Sequence, residues 1–198
     1  GYMRDRSGEI GVFGYKQILD HPGGFGNSGQ LTKEVEVVAP ANPQAVQYLP
    51  QALGILLARL IGLGFYPMLL MGRLFSVAAY TALAALAVSA APRGSKEIFS
   101  AAALLPMSLS LAGSFSADTM VLGMAFLFTA LCFAGMTEDK PVSFVRQAVL
   151  LVLAALLAPA KAIYLGMVAL VFPMKAENLG GRLRSRIFKA FVCAAALI

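Results

Sequence analysis

From Tyr48 onward the chain is a succession of apolar runs broken by Pro and short charged stretches; before Tyr48 it is nothing of the kind. Residues 1–47 are polar and Gly-rich, with charges of both signs, and Gly8, Gly11, Gly14 and "HPGGFGNSG" mark loops. Within them "KEVEVV" (33–38) alternates well enough to predict a short strand. "YLPQALGILLARLIGLG" (48–64) is an apolar helix interrupted by Arg59 and closed by Gly64 and Pro67. About 14 residues after Pro50 rise roughly 21 Å, short of a hydrocarbon core of about 30 Å, so 48–67 is expected to lie as an interfacial helix. Residues 68–91, about 24 in number and roughly 36 Å long as a helix, reach across. Further apolar runs occupy 98–113 and 118–136, separated by "GSFSAD".

The run 147–174 is about 28 residues, too long for one span and short for two. "APAKA" (158–162) interrupts it. A tilted single helix would put the loops 137–146 and 175–189 on opposite sides of a membrane, and a hairpin bent at Pro159 would put them on one. Cytoplasmic loops collect Lys and Arg. The hairpin places Arg93, Lys96, Lys140, Arg146 and the five Lys and Arg of "KAENLGGRLRSRIFK" on one face. Helices are therefore expected at about 147–158 and 162–174, with another beginning in 190–198 and with residues 1–67 extracytoplasmic.

Composition agrees with this threading. Of 198 residues, 59% are hydrophobic and 13% charged, and mean hydropathy is +0.75. Soluble domains run nearer a quarter charged, so the expected class is an all-α polytopic membrane protein with an extracytoplasmic loop segment. The net charge of +6 resides in short connectors rather than in one patch, which speaks for a bilayer and against nucleic acid. The chain starts at Gly1 without a signal peptide and stops inside the apolar "AFVCAAALI", so a fragment cut at both ends is expected.

Most of the chemical motifs are weak. "GFGNSG" (24–29) satisfies G-x-G-x-x-G but lacks the preceding strand and following helix of a dinucleotide site. His21 has no second histidine or carboxylate at ligand spacing, so no metal site is expected. Cys132 and Cys193, far apart in apolar segments, read as small buried hydrophobes.

The ionisable residues near the outer boundary carry more. The threading gathers Arg59, Arg73, Asp118 and Lys161 there, three cations and one anion. Such a group suits an anionic, membrane-embedded ligand, with Arg and Lys on phosphate oxygens and the tail in lipid. Three of them have a plainer reading. Arg59 and Arg73 can snorkel to headgroups. Asp118, after Ser114 and Ser116, can cap a helix, worth roughly 0.5–2 kcal/mol. Lys161, beside Pro159 in an apolar run, is functional by default.

"NPQAVQYLPQALGILLARLIGL", "MGRLFSVAAY", "LLPMSLSLAGSFSADTM" and "APAKAIYLGMVALVFP" occur in this order over residues 40–175. Together they resemble the bacterial multi-pass membrane family known as domain of unknown function 2142, which is grouped with the C-type glycosyltransferases. The resemblance implies a C-type glycosyltransferase-like helical bundle in the bacterial plasma membrane that takes a sugar from a polyprenyl-phosphate carrier at the extracytoplasmic face. It also implies an acidic Pro-Asp-Glu motif, followed by His, that holds the catalytic carboxylate. Asp5, Glu9 and Asp20-His21 do not fit that motif, so the catalytic residue is expected upstream of Gly1. Under this reading Tyr48 stacks on a sugar, and Arg59, Arg73 or Lys161 holds the lipid phosphate. Asp118 shares their side, a glycan or lipid-linked molecule is the acceptor, and no cofactor follows from the residues, a divalent cation being left open. The alternative is a non-enzymatic transporter or assembly scaffold for lipid-linked glycans, with broken helices around a path.

Overall fold

The computed structural model describes residues 2–4, 10–12, 43–137, 141–157 and 165–195. Two three-residue strands, β1 (Tyr2–Arg4) and β2 (Ile10–Val12), pair antiparallel with Tyr2 opposite Val12. The expected strand 33–38, the glycine motif 24–29 and His21 lie outside the described residues. The rest is helical: after a 3-10 turn at Pro43–Tyr48 come α1 (Leu49–Leu60), α2 (Phe65–Ala90), α3 (Lys96–Ala103) and α4 (Pro106–Ala112). Then follow α5 (Asp118–Thr137), α6 (Phe144–Leu157), the single turn α7 (Leu165–Val168) and α8 (Arg182–Ala195).

The first helices are built inside out. Toward its neighbours α1 turns Gln51, Gly54 and Ala58, at helical spacing, while Leu49, Leu53, Leu56 and Leu60 face outward. On α2 the buried stripe is Gly72, Ser76, Tyr80, Ala84 and Ala87, and Leu70, Leu74, Val77 and Leu86 are exposed. Small and polar residues inside with large apolar ones outside is the arrangement that lipid, not water, rewards. Both α2 and α5 are long and apolar enough to cross a membrane. Only 22% of α2's apolar window is buried, against 67% of α5's. Helix α5 is thus the central post, and α2 carries a lipid-facing side.

Three close approaches set the directions. A Cβ on Gly54 would lie 2.5 Å from Met71 O, and farther along Gln51 meets Ser76, so α1 folds back antiparallel along α2. Gly62, at φ 75°, closes the turn between them. A Cβ on Gly72 would lie 2.5 Å from the Phe115 ring, and one on Gly123 2.9 Å from Leu83. Both contacts advance together, so α2 and α5 run parallel. The return between them is α3 and α4, of 8 and 7 residues. The sequence pattern gives one helix over 98–113; it breaks at Leu104–Leu105 because a residue before Pro is pushed to extended backbone, and Leu105 has ψ 140°.

The C-terminal elements close the other end. Val142 N–H donates to Asn178 O at 2.8 Å, and Asn178 Nδ2 donates to Gly135 O at 3.1 Å. Residues 141–142 and 174–178 therefore meet at the end of α5. Helix α8 starts at Arg182, eight residues before the apolar pattern begins at 190, after Gly180 and Gly181 at positive φ.

Candidate functional site

The three basic connectors meet at one end of the bundle, where Asn178 and Ser185 are buried. A second buried polar layer, around Gln51, Ser76 and Thr119, lies away from it, about 16 Å along α2 from that helix's start. There α1 begins, α4 stops and α5 starts. Gln51, 2% exposed, donates from Nε2 to Ser76 Oγ at 3.2 Å and to Ser116 O at 3.3 Å. Ser76 Oγ donates to Ser114 O at 3.5 Å. Thr119, fully buried, donates to Leu111 O at 2.7 Å. These bonds tie the carbonyls around the α4–α5 break to side chains, as non-helical backbone inside a membrane protein requires.

One group is left over. Gln51 Oε1 is buried and has no hydrogen-bond partner among the described residues. A buried acceptor without a donor costs about 1–3 kcal/mol, a cost that a buried water or another O–H or N–H offsets.

The sequence-derived candidates divide around this layer. Asp118 is the first residue of α5, half-buried, and its N–H donates to Ser116 Oγ at 3.1 Å. A serine thus supplies a capping bond at this helix start, and the carboxylate sits where the helix dipole favours it. Arg73 follows Gly72, which packs on Phe115, so the structure brings Arg73 and Asp118 to the same end. Tyr48, 45% exposed, precedes α1 three residues before Gln51. Arg59 is not gathered in: eight residues along α1 it is roughly 12 Å away, exposed beside Leu56 and Leu60. Lys161 lies outside the described residues. Among those described, no three His, Cys, Asp or Glu side chains gather where a metal could be held.

Sequence reasoning missed Gln51 and Ser76. Their signal was the period: Gln51, Gly54 and Ala58 fall on one stripe of α1, and Gly72, Ser76 and Tyr80 on one of α2. An amide on an otherwise small-residue stripe of an apolar helix marks a polar interior contact.

Helices that bury small and polar residues and turn leucines outward, threaded as parallel posts with broken returns, define a multi-pass helical membrane protein. Residues 32–198 match the family described as "Predicted membrane protein (DUF2142)". The chain belongs to that family. No curated protein and no solved structure matches it.

Proposed function

We propose that the full-length protein binds a polyprenyl-phosphate-linked sugar at the Gln51–Asp118 end, on the extracytoplasmic side of the bacterial plasma membrane. It transfers that sugar to an envelope glycan or lipid-linked acceptor. The observation that carries this reading is the orphan Gln51 Oε1, an acceptor waiting in a polar layer flanked by Arg73 and Asp118. Sugar hydroxyls supply the missing donor, Arg73 suits the phosphate, and the exposed apolar faces leave the polyprenyl tail in lipid. In the transfer the bond from the sugar's anomeric carbon to the phosphate oxygen breaks and one to the acceptor oxygen forms. The acceptor's proton goes to a carboxylate that the family resemblance puts upstream of Gly1, and a cation stabilises the leaving phosphate.

The test is sugar release from a polyprenyl-phosphate donor by the full-length protein. Gln51→Met keeps the side-chain volume but also removes the Nε2 bonds to Ser76 and Ser116. It is therefore expected to lower the unfolding midpoint and, in the folded protein, to lower transfer roughly 5- to 150-fold, the factor for about 1–3 kcal/mol. Arg73→Gln is expected to weaken donor binding. A wild-type protein that leaves the donor uncleaved overturns the enzyme reading. The broken return α3–α4 and the half-length α1 favour the transport alternative in that event, and intact glycolipid crossing a vesicle membrane is its signature.

A further inference from the structure

The basic end carries a second arrangement, separate from the polar layer and independent of any reading of it. A cavity of about 490 Å³ lies between the α2–α3 connector and the start of α6, with Ser89, Arg93, Lys96, Ser143 and Arg146 in its wall. Among the described residues its lining includes three cations, two hydroxyls and no carboxylate. The positive-inside rule accounts for cations on this side, but not for their meeting around one hollow.

Next to it, sharing Pro141, is an apolar groove of about 690 Å³ between α6 and α8. One wall is Phe144, Ala148 and Leu151; the other is Ile187 and Phe191, with Arg184 also lining it. Phe144 is 84% exposed and Phe191 61%. From Phe144 to Leu151 the groove follows α6 for about two turns, roughly 10 Å, and Pro141 is the residue it shares with the basic cavity.

We propose that this pair of cavities is a binding site for an anionic phospholipid. The headgroup phosphate lies among Arg93, Lys96 and Arg146, and an acyl chain lies in the α6–α8 groove. Charge selects the occupant: a hollow lined by three cations asks for an anion, and the adjoining groove asks for hydrocarbon. A zwitterionic lipid satisfies only the second demand, and inorganic phosphate only the first.

The experiment uses the full-length protein in a neutral detergent with tail-labelled phosphatidylglycerol and tail-labelled phosphatidylcholine, reading the label retained. Phosphatidylglycerol is expected to be kept in preference. Arg93→Gln/Arg146→Gln is expected to reduce its retention by roughly 30-fold, the factor for two cations at a lipid surface. Arg93→Lys/Arg146→Lys is expected to retain the preference, which separates charge from folding. Phe191→Ser is expected to weaken both lipids. Equal retention of the two lipids by the wild type overturns the proposal, as does a preference that survives the glutamine pair. Displacement of the label by excess inorganic phosphate, but not by unlabelled phosphatidylglycerol, overturns it in favour of a soluble anion.

Discussion

At the residue scale the strongest constraints are glycines whose missing Cβ lets a neighbour in. A Cβ at Gly54 would sit 2.5 Å from Met71 O and 2.9 Å from Gly72 Cα, all backbone that moves only if the helices separate. A Cβ at Gly72 meets the far edge of the Phe115 ring, which can turn aside. Gly54→Ala is therefore expected to destabilise by about 1–3 kcal/mol. Gly72→Ala is expected to cost less, and Gly94→Ala, with nothing within 4 Å, close to nothing. Thermal unfolding in detergent orders them, and a Gly54→Ala midpoint equal to that of Gly94→Ala would refute the tight crossing. Of the candidate site, Arg73 and Asp118 were legible because a charge in an apolar run is conspicuous. Gln51 was not, since an uncharged amide in "YLPQALG" differs little from its surroundings until the helical period shows which residues share its face.

At the element scale the telling feature is the broken return. A helix end in a membrane protein leaves carbonyls that must find donors. Here Tyr80 Oη, on α2, donates to Ala103 O at 2.8 Å, and Ser108 Oγ donates to Ala102 O at 3.1 Å. The break at Leu104–Leu105 is thus held by a side chain on each flank. Tyr80→Phe removes a donor from a buried carbonyl and is expected to cost about 1 kcal/mol or more. Thr81→Val removes only an exposed bond to its own helix, Thr81 Oγ1 to Val77 O, and is expected to be nearly neutral. Equal unfolding midpoints for the two variants would mean that Tyr80 does not hold the break. The long posts were legible: the pattern gives 68–91 and 118–136, and the helices are Phe65–Ala90 and Asp118–Thr137. The break was not, because the apolar pattern runs unbroken through 98–113 and Pro106 also suits the first position of a helix.

At the scale of the whole molecule, what matters is which ends lie together. The contacts of Val142 with Asn178 and of Asn178 with Gly135 bring two basic connectors to the C-terminal end of α5. The cavity formed by Arg93, Lys96 and Arg146 brings the third. Charge counting along the sequence reaches the same grouping, because the bilayer sorts connectors by Lys and Arg before any side chain packs. The turn between α1 and α2 lies at the opposite end, since α1 runs back along the first part of α2. Single cysteines in a Cys132→Ala/Cys193→Ala background read this directly. Cysteines at Gly94, Ser143 and Arg182 are expected to react together from one side of the membrane, and one at Ile61, 63% exposed, from the other. A membrane-impermeant thiol reagent applied to intact cells should label the Ile61 variant alone. Labelling of Gly94 and Arg182 from opposite sides would separate the connector that the basic cavity brings in from those that the hydrogen bonds join. The parallel pairing of α2 with α5 would then have to be abandoned, and with it the meeting of Arg73 and Asp118 beside Gln51.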